Sequence, residues 1–452
     1  MIHSRFNRRR DHWIPTTFVL LCCVGGVTSA RSTRRHTPLL VAKRAVVGNL
    51  AAYNLAGTAR RLELSTQKNA ENFDKICQTV REHFYDRNMH GVDWKHITDL
   101  YRARLSTVSS KAEFEQLMNQ MLCELHSSHT VFVSDADVEY YMLPSVIHGN
   151  MRDYAVEHIG IIGLRQDNDF IVSAVLNGGP AEKAGIRVGD RLLTADGLAF
   201  TTAGSFRHKA GKQVNIVLRR GDTISDHTIH VVPIKQNVLK SFLEATERSA
   251  RILTIGGRKL GYIHLWTMAN PAFRDALETL VETKLYDTDG LILDLRDGYG
   301  GSPNGYGDVF YRPDILWLQE SQTEKPFSQH SSYKKPMVAL INGGTRSAKE
   351  YFSYELKKSR RAILVGSKTA GAFLGAGAFA IGEDGLLELA VVGLHLDGNL
   401  LEGVGIVPDV EVTSQNPGGE GDRQFDRAQD VLLQEVERSG RLANHTALEK
   451  PL

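Results

Sequence analysis

Ser347 follows a glycine turn and opens a helix. The stretch from Pro336 to Glu350 reads as a strand over Met337–Ile341, then a turn at Gly343 and Gly344. A helix follows, with Tyr351, Phe352 and Leu356 on its inner face. A hydroxyl at a helix N-terminus meets free N–H groups that favour developing negative charge, which is good placement for a nucleophile. The same placement suits a helix cap, so position alone leaves both readings open. A serine nucleophile needs a base, because its own pKa is too high for attack at neutral pH, and two N–H donors for the oxyanion.

A candidate base lies far upstream. His126 and His129 fall in Leu125-His-Ser-Ser-His-Thr-Val-Phe-Val133, where helical spacing gives way to a β-branched and aromatic run. No nearby cluster of Cys, Asp or Glu completes a metal site, so neither metal nor cofactor is expected. His129, at a helix-to-strand junction, serves as a base if the fold brings it to a nucleophile. For the oxyanion, Ala348 supplies one N–H. The pair Gly300–Gly301, closing Arg296-Asp-Gly-Tyr-Gly-Gly301, supplies the second, with Gly300 the choice. Glycine lets backbone approach substrate without a Cβ in the way. An ordinary strand-to-helix turn is the other reading of that pair. Lys349 reads as solvated surface at a helix start.

These residues need a scaffold, and 452 residues imply two or three domains. Hydrophobic content of 42% and charged content of 23% are those of a soluble globular protein, and a net charge of +2 gives no reason to propose a nucleic-acid partner. Arg5, Arg8, Arg9 and Arg10 precede the apolar run Phe18–Val27 and the small exit Thr28-Ser29-Ala30. That order predicts a secretory signal peptide over 1–30, hence a secreted or periplasmic protein, with a retained anchor as the alternative. The run is short for a membrane span, and no membrane contact is expected beyond it. Of four cysteines, Cys77 and Cys123 lie beyond the leader, and a single disulfide or two buried thiols are both open.

A basic linker over 31–66 leads to an N-terminal helical region over 67–135. Its helices carry stripes at Phe73, Ile76, Val80 and Phe84, at Trp94, Ile97, Tyr101 and Leu105, and at Phe114, Leu117, Met118 and Met121. The third opens with the capping box Ser110-Lys-Ala-Glu113. Residues 148–236 read as a β module with one short helix, and the pattern from Gly179 to Gly197 resembles a PDZ domain. By that resemblance Gly160, Ile161, Ile162 and Gly163 receive a peptide's terminal carboxylate by strand addition; a rigid spacer with a closed groove is the other reading. From 237 to 415, strands at Gly261–Trp266, Gly290–Leu295, Met337–Ile341, Ala362–Gly366 and Leu387–Val392 alternate with helices, predicting a layered α/β domain. A C-terminal helix around Phe425–Val436 lies within the last segment, 416–452.

Together these pieces resemble the carboxyl-terminal-processing, or tail-specific, serine peptidase family from about residue 70 to 415. The motifs that carry the resemblance are Asp294–Gly301, Asn342–Glu350 and Leu401–Asp409. It implies a multidomain α/β protein: a helical bundle, a PDZ-like module and a crotonase- or ClpP-like catalytic core, with Ser347 as nucleophile. The processing branch pairs its serine with a lysine, but aligning Gly366 and Thr369 puts Ala372 at that place, and Lys368 lies four positions early. The tricorn-like branch uses a histidine preceded by a serine, and a late glutamate. The resemblance therefore implies His129 as base, Ser128 orienting it and Glu402 near the nucleophile in a supporting role. The implied activity is an endopeptidase acting on peptides or unfolded protein tails, its oligomeric state open. A non-catalytic binding protein on a degenerate peptidase fold, and a serine–lysine enzyme using Lys368, stand as alternatives.

Overall fold

The computed structural model describes residues 66–149, 154–166, 169–221, 225–320, 327–413 and 421–448. The expected leader over 1–30 and most of the linker lie outside the described residues. Helix α1 spans 66–83, α2 Trp94–Arg104 and α3 Lys111–Cys123. Ser110 caps α3, its Oγ accepting from Glu113 N at 3.2 Å, which satisfies one of the free N–H groups of the first turn. The three helices meet through Phe73, Ile76, Val80, Trp94, Tyr101, Met118 and Met121. No disulfide joins Cys77 and Cys123; the first is buried and the second exposed.

Leaving α3, the chain forms β1, Val131–Ser134. A helix that sequence periodicity did not predict follows, α4 over Val138–His148. Pro144 within it breaks the local helical preference, and packing of Val138, Met142 and Val146 against the catalytic core outweighs that cost.

The PDZ-like module is a five-stranded antiparallel path: β2 (Ile161–Gln166), β3 (Asp169–Val175), β4 (Arg191–Ala195), β5 (Val214–Arg219) and β6 (Asp226–Val231). Its own core holds Ile161, Phe170, Val172, Leu192, Phe200 and Ile216. Segment 135–138 is laced to it. Ala136 O accepts from Ala203 N and Gly204 N, at 2.9 and 2.8 Å, and Asp137 Oδ1 accepts from Thr202 Oγ1 at 3.0 Å.

After α5 (Val238–Ser249), the catalytic domain is built on a six-stranded sheet. In chain order its strands are β7 (Arg251–Ile255), β8 (Arg258–His264), β9 (Gly290–Asp294), β11 (Met337–Ile341), β12 (Ile363–Gly366) and β15 (Val410–Glu411), which is also their spatial order. Only β7 runs antiparallel to its neighbour. Every residue of β9 and β11 is buried, as central strands covered on both faces require. Helix α6 (Pro271–Glu282), capped by Asn270, and helix α7 (Ala348–Lys358) cover one face through Phe273, Leu277, Phe352 and Leu356. Helix α8 (Arg423–Leu448) covers the other through Ala428, Val431, Leu432 and Val436, and it runs further than the sequence pattern suggested.

Two smaller pairings set the site. Strand β10 (Tyr299–Gly301) runs parallel to Thr267–Met268. Strands β13 (Gly375–Ile381) and β14 (Gly385–Val392) form a hairpin onto which β1 adds, with Val131 opposite Glu388. The Leu387–Val392 strand thus belongs to this three-stranded sheet and not to the parallel one. Strand addition fixes the N-terminal region, and His129 at its end, to the catalytic domain.

Candidate active site

Ser347 sits at the end of the turn that joins β11 to α7, with φ 56° and ψ −128°. A side-chain-bearing residue adopts that conformation only when its surroundings impose it, which sets Ser347 apart from an ordinary extended cap. Two groups hold it: Ser347 N donates to Glu350 Oε2 and to Ala372 O, each at 3.1 Å. Glu350 is fully buried and works as a clamp. Its Oε1 accepts from Thr369 Oγ1 at 2.5 Å and Gly371 N at 2.7 Å, and its Oε2 accepts from Ala372 N at 2.7 Å. Burial raises its carboxyl above the usual range while these donors act against that shift. The clamp seats Ala372 beside Ser347. Lys368 is exposed on the same turn.

The glycine turn after β9 comes to the same place. A Cβ built on Gly300 would lie 2.5 Å from Ser347 Cβ, 2.8 Å from its Oγ and 2.9 Å from Ala348 N. Only glycine fits there, and the Ala348 N–H belongs to the first helical turn, whose donors lack intrahelical partners. The two turns are tied by Asn342, whose Nδ2 donates to Asp297 Oδ1 at 3.1 Å while its Oδ1 accepts from Asp297 N at 3.2 Å. Thr345 Oγ1 adds a bond to Leu295 O at 3.0 Å.

His129 is buried, with φ 53°. Its Nδ1 lies 2.9 Å from Ser128 Oγ, and Ser128 Oγ donates to Glu402 Oε2 at 3.1 Å. Ser128 N donates to Glu402 Oε1 at 2.9 Å, and Phe373 N donates to Oε2 at 2.8 Å. An ionised carboxylate only accepts, so the Ser128 hydroxyl hydrogen goes to Glu402, and its oxygen then accepts from Nδ1–H of His129. That tautomer leaves Nε2 unprotonated and able to take a proton. Burial, reinforced by the Arg346 guanidinium, pushes the ring down to about 3, so it is neutral across the ordinary pH range.

Glu402 therefore stands behind Ser128, and no hydrogen bond links it to Ser347 among the described residues. It joins the two halves of the site through Phe373, the neighbour of Ala372. No hydrogen bond links His129 to Ser347 among the described residues; unliganded catalytic pairs are commonly looser than liganded ones. Gly160, Ile161, Ile162 and Gly163 stand apart from this set, in the PDZ-like module. Gly160 has φ 77°, and β2 is an edge strand as strand addition requires. A cavity of about 10 Å³, lined by Val138, Gly160, Leu176, Thr202 and Phe242, lies beside the loop, room for no more than one water.

One expectation is overturned. Lys349 is not surface but fully buried, its Nζ donating to Asp297 O at 2.6 Å, Arg296 O at 3.3 Å and Trp266 O at 3.5 Å. A lysine at a helix start reads as solvated in sequence, yet here the first turn of α7 points it beneath the glycine turn, where three carbonyls substitute for water. Sequence reasoning also missed the roles of Glu350 and Arg346. Glu350 had a signal, its place three residues after a helix-opening serine.

Residues 259–412 match the model of peptidase family S41, residues 65–123 that of the tricorn protease C1 domain, and residues 171–220 that of the PDZ domain. The chain is 25% identical over 365 residues to the chloroplastic C-terminal processing peptidase of Tetradesmus obliquus, covering 75% of this chain and 76% of the relative. It is 25% identical over 361 residues to the carboxyl-terminal-processing protease of Synechocystis, covering 74% and 79%. It is 24% identical over 362 residues to the putative tricorn protease homolog 2 of Streptomyces coelicolor, covering 75% of this chain and 30% of that one.

Proposed function

We propose that this chain, which belongs to peptidase family S41 and is a serine-type peptidase with a PDZ domain, cuts peptide bonds with Ser347 as nucleophile and His129 as base. The observation that carries the reading is the hydrogen-bonded series Glu402–Ser128–His129, which leaves Nε2 as the acceptor. In this reading His129 takes the Ser347 proton as Oγ attacks the scissile carbonyl. Gly300 and Ala348 N–H groups receive the oxyanion, and His129 returns the proton to the leaving amine. Peptides and unfolded protein tails are the substrates, as the names of the processing-protease relatives suggest. The loop Gly160–Gly163 holds their terminal carboxylate, and the leader over 1–30 directs export, its removal releasing the enzyme outside the cytoplasm.

Hydrolysis of an internally quenched peptide tests the assignment. Ser347→Ala and His129→Ala each lower kcat by about 10⁴-fold or more without lowering Tm, and a fluorophosphonate probe labels the wild type at Ser347. Hydrolysis at the wild-type rate by Ser347→Ala would falsify the assignment.

A further inference from the structure

Lys349 takes no part in the chemistry above, yet it costs the fold a buried charge one residue after the Ala348 donor. Burial lowers its ammonium to about 7. The carboxylates that act on it already have other partners: Asp294 is paired with Arg296 and Tyr262, and Asp297 with Asn342. A methionine of similar volume would fill the space without that cost. What the ammonium gains is three carbonyls, Arg296 O and Asp297 O on the chain leading to Gly300 and Trp266 O on the segment paired with it. Trp266 O, one of them, also accepts from Tyr299 N at 3.0 Å, directly before Gly300. Thr267 Oγ1 donates to Gly300 O at 2.9 Å on the same strand pair. The packing leaves no slack: a Cβ on Gly298 would lie 2.0 Å from Trp266 O and 3.3 Å from Lys349 Nζ. Successive residues of one helical turn thus have distinct tasks. Ser347 and Ala348 face the reaction, Glu350 holds the turn at 369–372, and Lys349 holds the glycine turn.

We propose that Lys349 is a positioning residue, whose ammonium ties the turn bearing Gly300 to the helix bearing Ser347 and Ala348 and so fixes the spacing of the two oxyanion donors. The proposal rests on the nucleophile and oxyanion assignments made above. A displaced donor loses transition-state stabilisation while ground-state binding, made elsewhere along the peptide, is kept.

The test compares Lys349→Met and Lys349→Gln with wild type on an internally quenched peptide, with melting curves and the affinity of a peptidyl boronate. Lys349→Met is expected to lose about 10- to 100-fold in kcat with KM within about 3-fold. Boronate affinity falls in the same proportion, and Tm is equal to or above wild type. Lys349→Gln, which keeps N–H donors without the charge, gives an intermediate kcat. A kcat within about 3-fold of wild type in Lys349→Met, or a kcat loss with boronate affinity unchanged, overturns the proposal. Failure of both variants to fold does so too, since Lys349 would then be a folding requirement. The two readings fail separately. Wild-type hydrolysis by Ser347→Ala removes the nucleophile, whereas an inactive Ser347→Ala beside a fully active Lys349→Met removes only the brace.

Discussion

Ser128 donates two hydrogen bonds to Glu402 across 274 residues of chain, from its N to Oε1 at 2.9 Å and from its Oγ to Oε2 at 3.1 Å. The second bond decides where the Ser128 proton lies, and through it which nitrogen of His129 is protonated. In the proposed mechanism, a carboxylate with no hydrogen bond to Ser347 among the described residues thereby governs whether Nε2 is a base.

Glu402→Gln is expected to lower kcat by about 10²-fold with KM nearly unchanged. An amide offers one acceptor oxygen where Glu402 uses two, so one of Ser128 N, Ser128 Oγ and Phe373 N meets a second donor. A steady-state comparison reads the result, and equal kcat values would detach Glu402 from the mechanism.

Gly300→Ala places a methyl 2.5 Å from Ser347 Cβ. The expected loss is about 10²- to 10³-fold in kcat, with about 1–3 kcal/mol of stability lost to overpacking. Peptide hydrolysis and urea melts measure the two effects in one preparation.

The pH profile carries a signature of the buried histidine. Desolvation first, and the Arg346 guanidinium second, hold its ring at about 3, so the base form persists far below the usual histidine range. Removing the cation in Arg346→Leu raises that pKa, so the acid limb of kcat/KM moves up, by about one pH unit. An acid limb that stays in place would show that His129 does not titrate on that limb.

Arg296 joins β9 to the C-terminal helix, 2.6 Å from Asp294 and 2.7 Å from Asp422. Burial opposes ionisation of Asp294, but Arg296 outweighs it and holds the carboxyl well below the usual carboxylate range. The pair's contribution to stability is full above the unfolded aspartate value of about 4 and is lost as pH falls towards the folded one. Arg296→Ala leaves Asp294 buried and unpaired, and should cost about 3–5 kcal/mol at pH 7 in urea unfolding.

Patterned elements are legible in the residue order itself. The stripes of the three N-terminal helices, the apolar runs Gly290–Leu295 and Met337–Ile341, and the glycine punctuation of the PDZ-like module each follow from local periodicity. The chemistry is legible where neighbours in sequence are neighbours in space, as Ser347 and Ala348 are. What escapes depends on long-range placement. Helix α4 is held by packing in spite of its Pro144, β14 pairs with a strand more than two hundred residues earlier, and Glu402 accepts from Ser128, 274 residues before it. Lys349 escapes because the carbonyls that surround it come from segments remote in sequence, Trp266 and Arg296–Asp297.

The separation of Ser128 and His129 from Ser347 and Glu402 also has a temporal side. On the proposed roles, the nucleophile emerges during synthesis before the residue that sets its base, so a growing chain carries an unarmed serine until Glu402 has been made and folded into place. By the same logic, a single clip between β14 and Glu402 would silence the enzyme while leaving Ser347 untouched.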